Sequence, residues 1–300
     1  MTSATIDDTR RRTWLLARPE DLHCVLYHLA VVAAYAVAFW LWLHPEVSGL
    51  DTLLEKLVFV GAAAPLLGWI SGIDVGVNFH NHTHRRIFKS KLLSRWFARF
   101  WTPVGGWPCQ WWAYLHVDVH HVHLLGEPDW TVPIKDANGN HEPSMSYQLK
   151  HWPWRTAWHF AKDIRYGRFD KRRAFGDLFW FALIYSIPFW IDWQMALALW
   201  VVPHWFANCM TLNRGMWVQH AGCGAYPANP KAQHSNDFLT PFFNRTMFNI
   251  GFHGEHHDFP GMHWADLPDL HRRLEARKHK EQALNDAAAA PAAAPPAQTS

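Results

Sequence analysis

Three histidines fall within five consecutive positions in the stretch Gly251-Phe252-His253-Gly254-Glu255-His256-His257-Asp258-Phe259-Pro260-Gly261. On a helix, positions four apart lie on one face and positions three apart lie beside them, so these imidazoles would point in nearly the same direction. Imidazole is a good ligand for iron, copper and zinc. The stretch therefore predicts a helix that presents a cluster of metal ligands.

Two further clusters with helical spacing lie upstream. They are His80-Asn81-His82-Thr83-His84 and His116-Val117-Asp118-Val119-His120-His121. One such cluster could arise by chance in a chain with 22 histidines, but three clusters with this spacing are not expected by chance. We therefore predict that all three contribute to one polynuclear metal site.

The composition indicates a membrane protein. Charged residues make up only 18% of the chain, against about 25% in an average soluble protein. The chain contains 20 Trp, a residue that prefers the bilayer interface. The small net charge of +3 gives no sign of nucleic-acid binding. The four cysteines lack CxxC spacing, which argues against a disulfide framework, an iron–sulfur site and a zinc ribbon.

Four apolar segments are candidates for helices that cross a bilayer, which takes about 20 residues at 1.5 Å per residue. The shortest of them, residues 178–191, is expected to extend into Phe175 and Gly176. Residues 24–43 and 57–73 contain no Asp, Glu, Lys or Arg, and the second helix is predicted to continue towards His80. Residues 178–191 and 193–213 are separated only by Asp192, a charge that is costly in the middle of a membrane. We place Asp192 at the tip of a tight hairpin and predict an all-α integral membrane fold with four transmembrane helices.

Basic residues predict the orientation of these helices. The turn at residues 44–49 has no Lys or Arg, whereas segment 85–99 has six. The positive-inside rule therefore places that segment and the N-terminus in the cytosol. With four spans, both termini are cytosolic and the three histidine clusters lie on the same side, as a cytosolic cap. The membrane is expected to be a bacterial inner membrane.

We predict three parts along the chain: a cytosolic N-terminal segment at residues 1–22, a membrane domain at 23–280, and a disordered tail rich in Ala and Pro at 281–300. Within the membrane domain, residues 97–112 are predicted to be interfacial or re-entrant, and residues 126–175 to form a cytosolic loop with a turn at Asn138-Gly139. The aromatic-rich segments 101–112 and 152–158 are expected to form interfacial belts, with the lining of an apolar substrate channel as the alternative.

The spacings H-x3-H, H-x3-HH and H-x2-HH, with the lone His220 after the fourth span, closely resemble the histidine boxes of the membrane-bound fatty acid desaturase and hydroxylase superfamily. The resemblance covers roughly residues 25–275. Residues 255–260 look like the third box of sphingolipid desaturases, and Gly126-Glu127-Pro128-Asp129 looks like the end of the second box of acyl-lipid desaturases. The resemblance implies a di-iron site with O2 as co-substrate. The implied iron ligands are His80, His84, His116, His120, His121, His220, His253, His256 and His257.

One position departs from the pattern of that superfamily. Some members have Asn four residues before the lone histidine, where this chain has Met216, a poor iron ligand. Water or a group such as Asn213 would take the open position. Each ligand imidazole also needs an acceptor for its second ring N–H; the candidates, which could equally be solvated loop charges, are Asp118, Asp129, Glu255 and Asp258. The histidines predicted not to be ligands are His28, His82, His123, His204, His234, His263 and His271.

The resemblance implies an enzyme, a membrane di-iron oxidoreductase, and most directly a desaturase that inserts a double bond into a fatty acyl chain. No catalytic residue beyond the metal ligands is predicted. The same site would support hydroxylation of a fatty acid or alkyl chain, ketolation or hydroxylation of a carotenoid, or decarboxylation of a fatty acid to a terminal alkene. A non-catalytic membrane metal-binding protein is the alternative from another class, but the nearly apolar spans argue against it. One zinc ion cannot use nine histidines, since zinc takes three or four protein ligands.

Electrons are expected to come from a separate protein. The chain has no Gly-rich flavin or nicotinamide fingerprint, and no fused cytochrome b5 domain is visible. The resemblance implies a ferredoxin-, rubredoxin- or cytochrome b5-like donor. The basic segments 85–99 and 165–173 would form the surface on which an acidic donor docks.

Overall fold

Four long apolar helices form the frame of the fold. In a computed structural model, which describes residues 14–133, 136, 140–224 and 233–289, they are TM1 (Asp21–Leu43), TM2 (Leu53–His84), TM3 (Lys171–Ile191) and TM4 (Trp193–His220). Each is long and apolar enough to cross a membrane. The described residues contain no strand, and an isolated bridge joins Leu16 to Phe88. The predicted all-α fold with four transmembrane helices is confirmed.

TM2 carries the first histidine cluster at its end, as the sequence predicts. The hydroxyl of Thr52 accepts the backbone N–H of Glu55, and the carboxylate of Glu55 accepts the backbone N–H of Thr52. This capping box starts the helix. The α-helix Leu53–Ile73 then passes without a break into a π-helical segment, Asp74–Phe79, and into the α-helical turn His80–His84.

TM3 and TM4 form the predicted hairpin around Asp192. The carboxylate of Asp192 accepts the backbone N–H of Met195 at 2.7 Å and caps the first turn of TM4. TM3 consists of Lys171–Tyr185 and Ile187–Ile191. TM4 alternates α-helical and π-helical segments, which are Trp193–Ala196, Leu197–Val201, Val202–Phe206, Ala207–Leu212 and Asn213–His220. It therefore extends beyond the predicted segment 193–213 and ends at His220.

Glycines let TM2 and TM4 pack closely. A Cβ atom on Gly68 would lie 2.5 Å from the carbonyl oxygen of Pro203, and a Cβ atom on Gly72 would lie 2.6 Å from the Cβ of Thr211. Both distances are shorter than real contacts, so only glycine fits without a shift. Gly76 continues the row at the same spacing. Small residues four apart are a common way for membrane helices to approach each other.

Shorter helices form a cap at the end where TM2 and TM4 finish. Pro45–Ser48 joins TM1 to TM2 outside this cap. Between TM2 and TM3 lie Lys91–Trp101, Thr102–Gly105, Cys109–Ala113, Tyr114–His121, Ser144–Lys150, His151–Arg155 and Thr156–Arg165. After TM4 come Pro241–Thr246, His253–Asp258, Trp264–Asp266 and Leu267–Ala289.

The predicted loop at residues 126–175 is partly helical. Helices Ser144–Lys150 and Thr156–Arg165 lie within it. Tyr147 and Phe160 are buried in the cap and fix these helices, because their burial removes large apolar rings from water. The predicted turn at residues 138–139 lies outside the described residues.

The last helix corrects the predicted boundary of the tail. The sequence predicts disorder from residue 281, but helix Leu267–Ala289 includes residues 281–289. Alanine has the highest intrinsic helix propensity, so the alanines at the start of the low-complexity tract extend the helix. Residues 1–13 and 290–300 lie outside the described residues.

The aromatic-rich segment 97–112 contributes its larger rings to the core. Trp101, Trp107 and Trp112 are all buried, and the rings of Trp107 and Trp112 pack edge to face at 5.4 Å. These side chains therefore do not form an interfacial belt. Trp154 and Trp158 of the second aromatic-rich segment, by contrast, are exposed.

A buried carboxylate joins TM1, TM2 and the first helix of the cap. One oxygen of Asp74 accepts Nδ1–H of His28 and Nε1–H of Trp101, each at 2.7 Å, and the other accepts the amide of Asn78 at 3.2 Å. A buried charge is costly unless it is hydrogen-bonded, and these three donors satisfy it. The cluster fixes TM2 just before it reaches His80.

Candidate metal centre

The first histidine group combines three parts of the chain. His80 and His84 come from TM2, His116 from the second cluster and His256 from the third, and one ring nitrogen of each lies within 4.8 Å of the others. The Nε2 atoms of His80 and His256 are 2.8 Å apart, and so are those of His84 and His116. The Nε2 atom of His121 lies 3.1 Å from those of His116 and His256. The first group therefore presents five imidazoles.

The second histidine group lies beside the first. It contains His120, His220, His253 and His257, all buried, again with one ring nitrogen each within 4.8 Å of the others. The Nε2 atom of His253 is 3.2 Å from that of His220 and 3.1 Å from that of His257. His220 reaches the group because TM4 continues past the apolar segment.

Adjacent histidines divide between the two groups. His120 belongs to the second group, while His121 lies against the first. Of the other adjacent pair, His256 belongs to the first group and His257 to the second. Successive residues on a helix point about 100° apart, so a pair of adjacent histidines can serve two neighbouring sites. The rings of His121 and His257 are 4.5 Å apart, centroid to centroid, which brings the two groups into contact.

The second cluster lies on a π-helix, Tyr114–His121. Hydrogen bonds in a π-helix join residues five apart, and residues five apart then share a face. This places His116 with His121 and turns His120 towards the second group. The α-helical spacing alone would pair His116 with His120, because the sequence pattern does not reveal the wider turn.

Asp129 orients His120. Nδ1–H of His120 donates to Asp129 at 3.0 Å, and Asp129 also accepts the hydroxyl of Thr131 at 2.5 Å and the backbone N–H of Leu125 at 3.1 Å. Burial alone would raise the pKa of Asp129, but His120 and these hydrogen bonds outweigh it and hold the pKa below its usual value. The Nε2 atom of His120 is then directed towards the second group, where it is buried with no hydrogen-bond partner among the described residues.

The other carboxylates considered as acceptors have different partners. They pair as Asp118 with Arg173 (2.9 Å), Glu255 with His271 (2.5 Å) and Asp258 with His234 (3.1 Å). His220 uses a backbone group instead of a carboxylate, since its Nδ1–H donates to the carbonyl of His234 at 2.9 Å. A carbonyl acceptor leaves no signal in the sequence, and neither does the supporting role of Thr131.

Burial keeps these imidazoles in the neutral form. The pKa values lie well below the usual value, first because burial disfavours the charged ring and then because neighbouring imidazoles would repel it; this holds for His116, His253, His256 and His257. Neutral imidazole is the form that binds a metal ion. These four imidazoles therefore present nitrogen lone pairs without a competing proton.

The spacing of the nitrogens fits metal coordination. Two nitrogens bound to one ion at about 2.1 Å lie about 3.0 Å apart at an angle of 90°, and about 3.4 Å apart in a tetrahedron. The six shortest Nε2 separations within the groups are 2.8 to 3.2 Å, which is closer to the first geometry. Five nitrogens in one group and four in the other exceed what one zinc ion takes. The donor set fits two ions, one for each group.

The comparison with protein families agrees with this arrangement. The model of the family described as fatty acid desaturase matches residues 56–284. The match covers more than two thirds of the chain and includes all nine clustered histidines. The chain belongs to the fatty acid desaturase family. No curated protein and no solved structure matches it. Membership in this family identifies a membrane oxidoreductase of desaturase or hydroxylase type with a lipid substrate, and the histidine groups could hold its metal.

The histidines predicted not to be ligands lie outside both groups in this family member. His28 pairs with Asp74, as described above. The ring of His82 stacks on Phe79, and His123 lines a separate polar depression. The others bond to protein groups elsewhere: His204 to the carbonyl of Val104, His234 to Asp258, His263 to Asp21 and His271 to Glu255.

Met216 occupies the position at which some members of the superfamily have Asn. The side-chain amide of Asn213 donates to the carbonyl of Gln148 at 3.0 Å, so Asn213 is engaged with helix Ser144–Lys150. Met216, in contrast, lines the cavity described below. The hypothesis that Asn213 takes the open coordination position finds no support in these contacts.

An apolar cavity of about 300 Å³ leads to both histidine groups. Two residues of the first group, His80 and His116, and two of the second, His120 and His253, form its inner wall. The outer wall comes from TM2, TM4 and residues 238–250, and includes Ile73, Val77, Leu212, Phe243, Met247 and Ile250. Of the two aromatic-rich segments predicted as an alternative channel lining, only Trp112 reaches this cavity.

Proposed function

We propose that this family member is an O2-dependent di-iron oxidoreductase that desaturates a fatty acyl chain. The observation that carries the proposal is the apolar cavity, because it connects the walls of two transmembrane helices with both histidine groups. A saturated hydrocarbon chain makes no hydrogen bonds, so a mostly apolar wall is the surface that binds it. The histidines at the inner wall put the bound chain next to the metal.

The proposal assigns one iron to each histidine group. The first ion is held by His80, His84, His116, His121 and His256, and the second by His120, His220, His253 and His257. The two irons supply the redox chemistry through which O2 removes hydrogen from an unactivated C–H bond. The protein fixes the imidazoles, and the apolar wall keeps water away from the acyl chain. Asp129 contributes by holding a proton on Nδ1 of His120, which leaves Nε2 free.

The test compares the products of cells that make the wild type, His257→Ala and His279→Ala. His279 is exposed on the last helix and belongs to neither histidine group, so it is the matched control. His271 is unsuitable as a control because it contacts Glu255 of the third cluster. Total lipids, pigments and headspace hydrocarbons are analysed together by mass spectrometry.

We expect a new monounsaturated chain with the wild type and His279→Ala, and none with His257→Ala. A hydroxylated chain, an oxidised carotenoid or a volatile alkene one carbon shorter than a fatty acid would keep the metal site and replace desaturation as its reaction. Identical products in all three strains, with each protein present in the membrane, would contradict the proposal.

We further propose that a separate acidic protein delivers the electrons at the basic surface of the cap, which is formed by segments 85–99 and 165–173. Lys171 and Arg172 are exposed there, and neither forms an ion pair within the described part of the chain, whereas Arg173 is paired with Asp118. Arg172→Glu should slow turnover with the donor at low salt and weaken its salt dependence. Lys280→Glu, on the exposed last helix, is the control. If both variants turn over at the wild-type rate at all ionic strengths, docking at this surface is excluded.

A further inference from the structure

Among the described residues that line the apolar cavity, Arg214 is the one with a permanent charge. It belongs to TM4 and is exposed to the outside as well as to the cavity. A residue that is both exposed and part of the wall lies where the cavity opens. The inner end of the cavity carries the imidazoles of His80, His116, His120 and His253.

The guanidinium of Arg214 has unused hydrogen-bonding capacity. One of its nitrogens donates to the hydroxyl of Ser144 at 2.7 Å, and its Cζ atom lies 5.8 Å from the ring centre of Trp217. It forms no ion pair in the described part of the chain. The neighbouring carboxylate of Glu142 is bound at both oxygens by Arg155. Since a guanidinium has five N–H donors in a planar fork, most of the donors of Arg214 are free to bind an anion.

We propose that Arg214 forms a subsite for the anionic head group of the substrate, either the carboxylate of a free fatty acid or the phosphate of an acidic phospholipid. The inference rests on the proposed function, since it takes the cavity as the site of the acyl chain. Bidentate pairing with a planar or tetrahedral oxyanion is the contact that arginine makes best. The apolar wall then accepts the chain, and the head group stays at the opening.

An anchored head group fixes the position of oxidation. Arg214 precedes His220 by six residues on TM4, which corresponds to a rise of about 9 Å along the helix. The distance from the anchor to the second histidine group is therefore constant. The wild type should oxidise chains of 14, 16 and 18 carbons at the same carbon counted from the head group. An unanchored chain would instead be positioned by its methyl end or react at several carbons.

A different role for Arg214 predicts different behaviour. Arginine near the end of a transmembrane helix often anchors the helix at the interface, and the bond to Ser144 could hold the cap. Both roles affect the stability of the protein, but neither discriminates between ligands that differ only in their head group. Binding selectivity is therefore the decisive readout, and it does not depend on turnover.

The test measures dissociation constants of palmitate and hexadecanol for the purified full-length protein in nanodiscs of zwitterionic lipid. The variants are Arg214→Met and, as matched control, Arg245→Met, because Arg245 is exposed on helix Pro241–Thr246 and does not line the cavity. Charge-assisted hydrogen bonds contribute about 1.5–3 kcal/mol, or roughly tenfold or more in affinity. We expect the wild type and Arg245→Met to prefer palmitate by at least about tenfold.

We expect Arg214→Met to lose this preference while its affinity for hexadecanol stays the same. A wild type that binds both ligands equally, or an Arg214→Met protein that still prefers palmitate, would overturn the proposal. Nanodiscs that contain phosphatidylglycerol identify the source of the anion. If this lipid weakens the binding of palmitate to the wild type but not to Arg214→Met, the head group is that of a phospholipid. If the lipid leaves palmitate binding unchanged, the anion is a free carboxylate. Selective binding without any oxidised product would retain the subsite and reject the proposed reaction.

Discussion

At the scale of single residues, the two histidine groups depend on how neighbouring side chains are directed. Eight of the nine histidines stand out in the sequence because their spacing repeats in three clusters, whereas the lone His220 enters the predicted set only through the resemblance to the desaturase superfamily. Their division into two groups cannot be found in the same way. It depends on the π-helical turn that separates His120 from His116, and on contacts such as the one between His220 and the carbonyl of His234.

Replacing Asp129 with Asn should weaken the second metal site while preserving the fold. Asn has nearly the same size, but it removes the charge that keeps Nδ1 of His120 protonated and the ring oriented. Loss of such an outer contact typically lowers metal affinity or activity about 10- to 100-fold. We expect a loss of that size in activity and a matching loss of bound metal on dialysis against a chelator.

Asp118→Asn is the matched control for this change. Asp118 lies on the helix that carries His120, but its carboxylate pairs with Arg173 and not with a clustered histidine. Its replacement should leave metal retention within about twofold, since an exposed ion pair contributes little. Equal metal retention in Asp118→Asn and Asp129→Asn would show that Asp129 does not position a ligand.

At the scale of helices, hydropathy predicts the four spans but does not identify their contacts. The uncharged segments and the lone charge at Asp192 are enough to predict TM1 to TM4 and the hairpin. The cap helices carry weaker signals, since the helices in residues 144–165 are short, expose apolar side chains such as Trp154 and Trp158, and are interrupted by Pro153. Which faces of TM2 and TM4 meet becomes clear only when Gly72 is seen against Thr211.

Gly72→Ala should destabilise the contact between TM2 and TM4. The new Cβ would lie 2.6 Å from the Cβ of Thr211 and 3.1 Å from the carbonyl of Ala207, so the helices must move apart. Forced overpacking costs about 1–3 kcal/mol. We expect a melting temperature several degrees lower in detergent and reduced activity, because Gly72 also lines the cavity.

Gly61→Ala tests whether this effect comes from the contact. Gly61 lies on the same helix, and a Cβ atom there would have no neighbour within 4 Å. Alanine favours a helix more than glycine by up to about 1 kcal/mol, so the melting temperature should stay the same or rise. If both variants melt like the wild type, the close packing of TM2 on TM4 is wrong.

At the scale of the whole molecule, the sequence predicts the number of spans and the side on which the histidines gather. It does not predict the apolar cavity, because the walls come from TM2, TM4 and residues 238–250, which are far apart in the chain. The sequence offers the tryptophan-rich segments 101–112 and 152–158 as a channel lining only as the alternative to interfacial belts. In the fold most of those rings fill the core, and smaller apolar residues form the wall.

The orientation in the membrane can be tested with fusions. The basic residues of segment 85–99 predict cytosolic termini and a cytosolic histidine cap. A fluorescent protein fused after Ser300 should fluoresce in a bacterial host, and alkaline phosphatase inserted in the turn at residues 44–49 should be active. Phosphatase activity at the C-terminus, or its absence in that turn, would reverse the predicted orientation.

The metal content of the purified protein tests the central claim most directly. Protein made in iron-supplemented cells is analysed by elemental mass spectrometry as the wild type, His279→Ala, and the double variant His253→Ala/His257→Ala. We expect two irons per chain in the first two proteins and about one in the double variant. The double variant removes two imidazoles of the second group and keeps all five of the first. One metal ion per chain in the wild type, stoichiometric zinc in place of iron, or two irons retained by the double variant would contradict a site built from two histidine groups.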